Sequence, residues 1–299
     1  MTTVQTGSRI TFKNVLLLTD FSERSEAALP FAMGVARTYG AKLHAFHVLL
    51  PTPSAYYTPE FTVAAIESDE ERAQAEMQRI ESQLSGLPHD VSIERDIAVW
   101  PSLEQEIAED DIDLLVLGTH GRTGAQKLLL GSVAEEIFRR SDVPVLTIGP
   151  GVRSRAHNDA HFHRVLFATD FSPHSLAAWP YALSFAQENQ AHLILLHVIP
   201  EVARSDRKKH IETLPGDAQS HLERLLPKDA DLWCRPEVIV DRGDPRIRIV
   251  ENAKSQGADL IVLGVRSASR RLGVATHLER AIAHNVVAHA ECPVLTARG

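Results

Sequence analysis

Apolar runs of roughly five to eight residues recur along the chain, separated by segments in which apolar residues return every three or four positions. In the first half the runs at 13–19, 41–49, 91–98, 113–118 and 143–148 predict strands. They are rich in Val and Leu with little polar alternation, the pattern of strands buried on both faces. Between the first two, Ala28, Phe31, Ala32, Val35 and Ala36 keep the i, i+3, i+4, i+7, i+8 spacing of one helix face. Residues 63–85 predict a second, charged helix, and its acidic cluster Glu67, Asp69, Glu70 and Glu71 reads as a solvated face near the helix start. Pro101 suits the first turn of a third helix, and Arg139 and Arg140 suit the last turn of a fourth. Alternating strands and helices of this kind predict a doubly wound α/β fold with a five-stranded parallel sheet, Rossmann-like in its winding.

The pattern occurs twice. Residues 15–49 align with 165–199 at a constant offset of 150, with 16 of 35 positions identical, including Thr19-Asp20-Phe21-Ser22 with Thr169-Asp170-Phe171-Ser172 and His47-Val48 with His197-Val198. Asp113-Leu114 returns as Asp259-Leu260, and Pro144-Val145-Leu146-Thr147 as Pro293-Val294-Leu295-Thr296. A period this long exceeds that of a solenoid unit and predicts a duplicated domain. The polar, breaker-containing stretch 150–163 reads as a linker between domains 1–149 and 164–299.

Candidate chemistry lies at strand ends. In an open parallel sheet, ligands bind beyond the carboxyl ends of the strands, where the strand order reverses. Asp20 follows the first strand. The fourth leads into Gly118-Thr119-His120-Gly121, and after nine further residues comes Gly131-Ser132. A strand-end carboxylate can accept hydrogen bonds from a ribose, while glycine amides and a helix start can hold phosphate. Together they suggest a nucleotide. Each feature also has a plainer reading. The glycines can serve a tight strand-to-helix connection, and Asp20 and Asp170 can cap the following helices, a role for which Ser22 and Ser172 compete. His47 and His197 read as hydrogen-bonded core or rim residues, and His120 as either a phosphate contact or a surface residue.

With these motifs the chain resembles a tandem universal stress protein, two such domains in one polypeptide, with similarity to the adenine nucleotide alpha hydrolase-like folds. In that family the pattern Gly-x2-Gly-x9-Gly-Ser/Thr marks ATP-binding members, and Gly118, Gly121, Gly131 and Ser132 meet it. The resemblance implies that Thr19 and Asp20 border the adenosine and that Val48 offers backbone contacts to adenine. It implies that Gly118 and Gly121 admit ribose and phosphates, and that Gly131, Ser132 and Val133 hold phosphate oxygens with Mg²⁺ on the triphosphate. Arg122 and Lys127 would screen phosphate charge. In the second copy Gly264 is kept, but Ser267 stands where the second glycine belongs, and Arg280-Ala281 falls opposite Gly131-Ser132. One ATP site is therefore expected, in the first domain, with a large side chain filling the phosphate space of the second.

Composition narrows the function. The chain of 299 residues has 44% hydrophobic residues, enough for two buried cores. A formal charge of -8 and 6% aromatic content give no nucleic-acid footprint. No apolar run approaches the ~20 residues of a membrane span and no secretory signal is evident, so a cytoplasmic protein is expected. Cys234 and Cys292 lie far apart, and His157, His161 and His163 are loosely spaced, so neither a disulfide framework nor a metal site is suggested. A P-loop and a G-x-S-x-G elbow are absent, and Asp20-Phe21-Ser22-Glu23 stands where adenylate-forming relatives carry a glycine-and-serine loop. The leading expectation is an ATP-binding regulator or sensor in a stress response, acting on an unknown protein partner. A slow ATPase or phosphotransferase and a nucleotide-free interaction scaffold are the alternatives. The apolar last strand of each copy would be a hazardous exposed edge, and family members commonly dimerise through it. An internal pseudo-dimer is therefore expected, with further pairing of whole chains left open.

Overall fold

In the computed structural model, which describes residues 10–51, 59–119, 131–152, 161–201, 215–228, 230, 234, 236–266 and 274–299, the apolar runs form strands where the pattern places them. The first copy contains β1 (Asn14–Leu18), β2 (Lys42–Leu49), β3 (His89–Arg95), β4 (Leu114–Gly118) and β5 (Val145–Ile148). Its helices are α1 (Glu23–Glu26), α2 (Leu29–Tyr39), α3 (Pro59–Gln83), α4 (Val99–Glu109) and α5 (Ser132–Arg140). The second repeats this order as β6 (Arg164–Ala168), α6 (Pro173–Leu176), α7 (Trp179–Asn189), β7 (His192–Ile199), α8 (Pro215–Glu223), β8 (Glu237–Arg242), α9 (Pro245–Ser255), β9 (Leu260–Val265), α10 (Val274–His289) and β10 (Val294–Arg298). Pro101 lies in the first turn of α4, and Arg139 and Arg140 lie in the last turn of α5, as their physical preferences require.

Two differences from the sequence pattern have local causes. A one-turn helix, α1, stands between β1 and α2, and its N-cap is Ser22, whose side chain accepts from the Ser25 amide. It is too short to show a period. The third strand ends at Arg95 rather than continuing to residue 98. There Asp96 turns the chain: its carboxylate accepts from the Ile97 amide at 2.6 Å and from Ser102 Oγ at 2.8 Å, which leads directly into α4.

The chain divides into two compact units. Among the described residues, one comprises those from 12 to 145, and the other residues 10–11, 146–152 and those from 161 onward. In the first, the strand order is β3-β2-β1-β4, and β1 pairs in parallel with both β2 and β4. In the second the order is β5-β10-β9-β6-β7-β8, with parallel pairing from β10 to β9, β9 to β6, β6 to β7 and β7 to β8. The winding therefore reverses beside β1 in one unit and beside β6 in the other. This is the arrangement of a doubly wound α/β domain.

On one face of the first sheet, Leu16, Leu18, Phe46, Val48, Leu115 and Leu117 pack with Trp100, Leu103, Ala134 and Ile137. The last four belong to α4 and α5. The intervening residues Val15 and Leu17 point to the opposite face, because strand side chains alternate, and α2 packs against β1. Both faces are thus covered, which explains why the strands show no polar alternation. Both cysteines are buried. Among the described residues, no helix is long and apolar enough to cross a membrane.

Candidate functional site

The turn after β1 is built by a small network that recurs in both copies. Thr19 is buried, its amide donates to the Phe46 carbonyl at 3.0 Å, and its hydroxyl lies 3.0 Å from Ser25 Oγ. The Phe21 amide donates to Thr19 Oγ1 at 3.0 Å. This holds Phe21 at φ 61°, a left-handed conformation that a bulky residue rarely adopts, and its ring lies 4.2 Å from that of His47. His47 Nδ1 lies 2.7 Å from the Thr19 carbonyl oxygen, so this nitrogen carries the proton. In the second copy Thr169, Ser175, Phe171 at φ 63° and His197 reproduce every one of these relationships.

Asp20 holds the serine that caps α1. Ser22 donates to Asp20 Oδ1 from its amide at 3.0 Å and from its hydroxyl at 2.6 Å. The capping role thus belongs to Ser22, and Asp20 orients it. The Ser172 amide donates likewise to Asp170 Oδ1 at 2.9 Å. Burial pushes the Asp170 carboxyl up, but hydrogen bonds from Ser172 and Ser175 outweigh it and leave the group below the ordinary carboxylate range. It is an ionised acceptor at neutral pH.

The other sequence-predicted site residues that are described, Val48, Gly118, Gly131, Ser132 and Val133, lie at the same end of the sheet. The β1 ladder ends where Phe46 receives the Thr19 amide, and Val48 sits two residues further along the same strand. Its side chain is buried in the α4 and α5 core, so only its backbone is available to a ligand. Gly118 ends β4, next to the end of β1, with Leu18 opposite Leu117. A β-carbon on Gly118 would meet the Arg24 carbonyl oxygen at 2.5 Å, and one on Gly264 would meet the His174 carbonyl oxygen at 2.2 Å. Both glycines therefore admit the one-turn helix that follows the first strand of their copy. That packing duty accounts for the survival of Gly264 in a copy that has lost the rest of the pattern.

Gly131 caps α5 without a side-chain hydrogen bond, and its amide donates to the Thr119 carbonyl at 2.7 Å. This bond ties the start of α5 to the end of β4. Ser132 is exposed and Val133 half-buried against the core. The first amides of a helix lack intrahelical acceptors and carry the positive end of its dipole, so this end favours an anion. Gly121, Arg122 and Lys127 lie outside the described residues.

The second copy differs at this point in its backbone. The two helices end in register, with Ser141 donating to Ile137 and Ala290 donating to Val286. Position 281 thus matches Ser132, yet α10 begins at Val274, seven residues earlier. Arg280-Ala281 consequently lies two turns inside a helix, where backbone amides are already bonded to preceding carbonyls. The two copies thus differ here in where the last helix starts as well as in the residues at the matching positions.

The winding and the paired strand-end turns define a class: two doubly wound α/β domains in tandem. The family model described as the Universal stress protein family matches residues 11–149 and again 161–298, and the chain belongs to that family. A universal stress protein of Mycolicibacterium smegmatis is 24% identical over 306 residues, spanning 95% of this chain and 96% of the relative. Universal stress protein A homolog 1 of Coxiella burnetii is 33% identical over 145 residues, which is 46% of this chain and 96% of that protein. The crystal structure of a universal stress protein from Archaeoglobus fulgidus superposes with a TM-score of 0.69 at 23% identity, covering 95% of this chain and 98% of the other. That structure has the same fold along nearly the whole length.

The Thr19, Ser25, Phe21 and His47 network was visible in the sequence only as identities between the copies. Identity at Ser25 and Ser175, and at His47 and His197, was the available signal. Spacing alone did not reveal that they meet around one left-handed residue.

Proposed function

We propose that the first copy binds ATP together with Mg²⁺, one nucleotide per chain, and that the protein acts as a nucleotide-dependent regulator in a stress response. The observation that carries this reading is the contrast between α5, which opens at Gly131-Ser132 beside the Thr19-Asp20 turn, and α10, which runs through the matching position. The residues present fit the group. A helix start with no side-chain cap suits phosphate oxygens. Ser132 and Val133 would supply amides, Thr19 and Asp20 would border the ribose, and the Val48 backbone would face the base. Mg²⁺ would neutralise charge on the triphosphate. The second copy retains the first-strand turn with Asp170 and serves as a structural partner.

The test is mass analysis of small molecules released when freshly purified protein is denatured. An adenine nucleotide at one equivalent per chain is expected. Protein that releases none, and whose melting temperature is unmoved by millimolar Mg-ATP, overturns the reading.

A further inference from the structure

At the opposite end of the first sheet from the strand-end turns, β2 carries His44 at a position 2% exposed, on the same face as Phe46 and Val48. Neither His44 Nδ1 nor His44 Nε2 has a hydrogen-bond partner. A buried imidazole that makes none is costly, because polar groups taken from water need compensation. Two carboxylates from α4 converge on it, and the ligand atoms of His44, Glu106 and Asp110 all lie within 4.8 Å of one another.

The separation of His44 from Asp110 bears on what the cluster can hold. His44 Nδ1 lies 3.4 Å from Asp110 Oδ2 without forming a hydrogen bond. Two donors on one tetrahedral ion with bonds of about 2.0–2.1 Å stand about 3.3 Å apart, so this pair already has the spacing of two ligands of one metal. Glu106 is oriented by Ser92, whose hydroxyl donates to Glu106 Oε1 at 3.0 Å. Such support from outside the ligand set is usual around metal sites.

The second copy supplies an internal comparison. His44 pairs in register with Asp90, and the matching pair is Ile194 with Glu237. Glu106 and Asp110, the latter the C-cap of α4, match Asn252 and the C-cap of α9, Gln256. All three ligand types are replaced together while the backbone positions persist.

We propose that His44, Glu106 and Asp110 form a site for a divalent transition-metal ion of the zinc class, with water completing the coordination. One nitrogen and two carboxylate oxygens suit such an ion better than the all-oxygen preference of Ca²⁺ or Mg²⁺. The site lies within the first unit and is independent of nucleotide.

The test is calorimetric titration of Zn²⁺ into chelator-stripped, untagged full-length protein without nucleotide, followed by visible absorption of the Co²⁺ form. Wild-type protein is expected to take up one tight equivalent and to show the intense bands of a low-coordinate cobalt site. His44→Ile, Glu106→Asn and Asp110→Gln adopt the residues of the second copy, and each is expected to weaken this binding at least ~10-fold. The doubly substituted His157→Asn, His161→Asn chain should bind as wild type. Asp110 is partly exposed, so Asp110→Gln keeps the test open if His44→Ile unfolds. Tight Zn²⁺ binding that persists in His44→Ile or Asp110→Gln, or its absence from the wild-type chain, overturns the proposal.

Discussion

The backbone of Gly118 passes so close to Arg24 that a β-carbon on it would lie 2.5 Å from the Arg24 carbonyl oxygen. The contact is with backbone, so no side-chain rotation relieves it. Gly118→Ala should therefore displace α1 and cost about 1–3 kcal/mol, measured by chemical denaturation. Gly264→Ala should cost a similar amount against His174. A Gly118→Ala chain that keeps wild-type stability would show that α1 yields freely. Because the glycine packs a helix, loss of ligand in this variant reports on the scaffold as well as on the site.

Ser132→Glu separates those two effects. A carboxylate in the first turn of α5 meets the positive end of the helix dipole and should leave stability unchanged or raise it by about 0.3–1 kcal/mol. The same charge would repel a triphosphate. Wild-type protein with Mg-ATP at ~100 times its dissociation constant should gain about 2.7 kcal/mol, or about 5–10 °C in melting temperature, in the first domain. Ser132→Glu should melt at the wild-type temperature or above without nucleotide and show none of that shift.

Helix α2 ends at Gly40 in the left-handed region with φ 67°, while α7 ends at Gln190 with φ 50°. Nothing lies within 4 Å of a β-carbon on Gly40, so the difference is conformational and not steric. Gln190→Gly should stabilise the protein by about 0.5–1 kcal/mol, and Gly40→Gln should destabilise it by a similar amount. Unfolding midpoints of the two variants should move in opposite directions.

Burial lowers the His197 imidazole below its ordinary value, against the bond to the Thr169 carbonyl and the charge of Asp170, with His221 adding to the lowering. The fold therefore favours the neutral ring, and the unfolded chain binds the extra proton. This contribution to stability is complete above the unfolded value near pH 6.5 and is lost as pH falls from there through the folded value. His197→Asn keeps a donor toward Thr169 but does not titrate. Denaturation across this window should show a shallower loss of stability in His197→Asn than in the wild type.

Much of this protein was legible in its sequence. Runs such as Leu114-Leu115-Val116-Leu117 must be buried on both faces, and the spacing from Ala28 to Ala36 admits one helix face. The duplication and the loss of the glycine pattern in the second copy were also linear facts. Short elements escaped: α1 spans one turn, and the end of β3 depends on the two hydrogen bonds made by Asp96. The metal candidate escaped because His44 is separated from Glu106 and Asp110 by some sixty residues, and only packing of α4 on β2 brings them together.

The sequence by itself determined the two doubly wound domains and which copy keeps the Gly-x2-Gly-x9-Gly-Ser pattern, because burial periodicity and backbone-permissive residues act locally. Only the tertiary structure decided why Gly118 and Gly264 are both glycine, where α10 begins, and that a buried histidine faces two carboxylates. Each of these depends on distances between atoms remote in the chain, and linear spacing carries no information about such distances until the sheet and helices have packed.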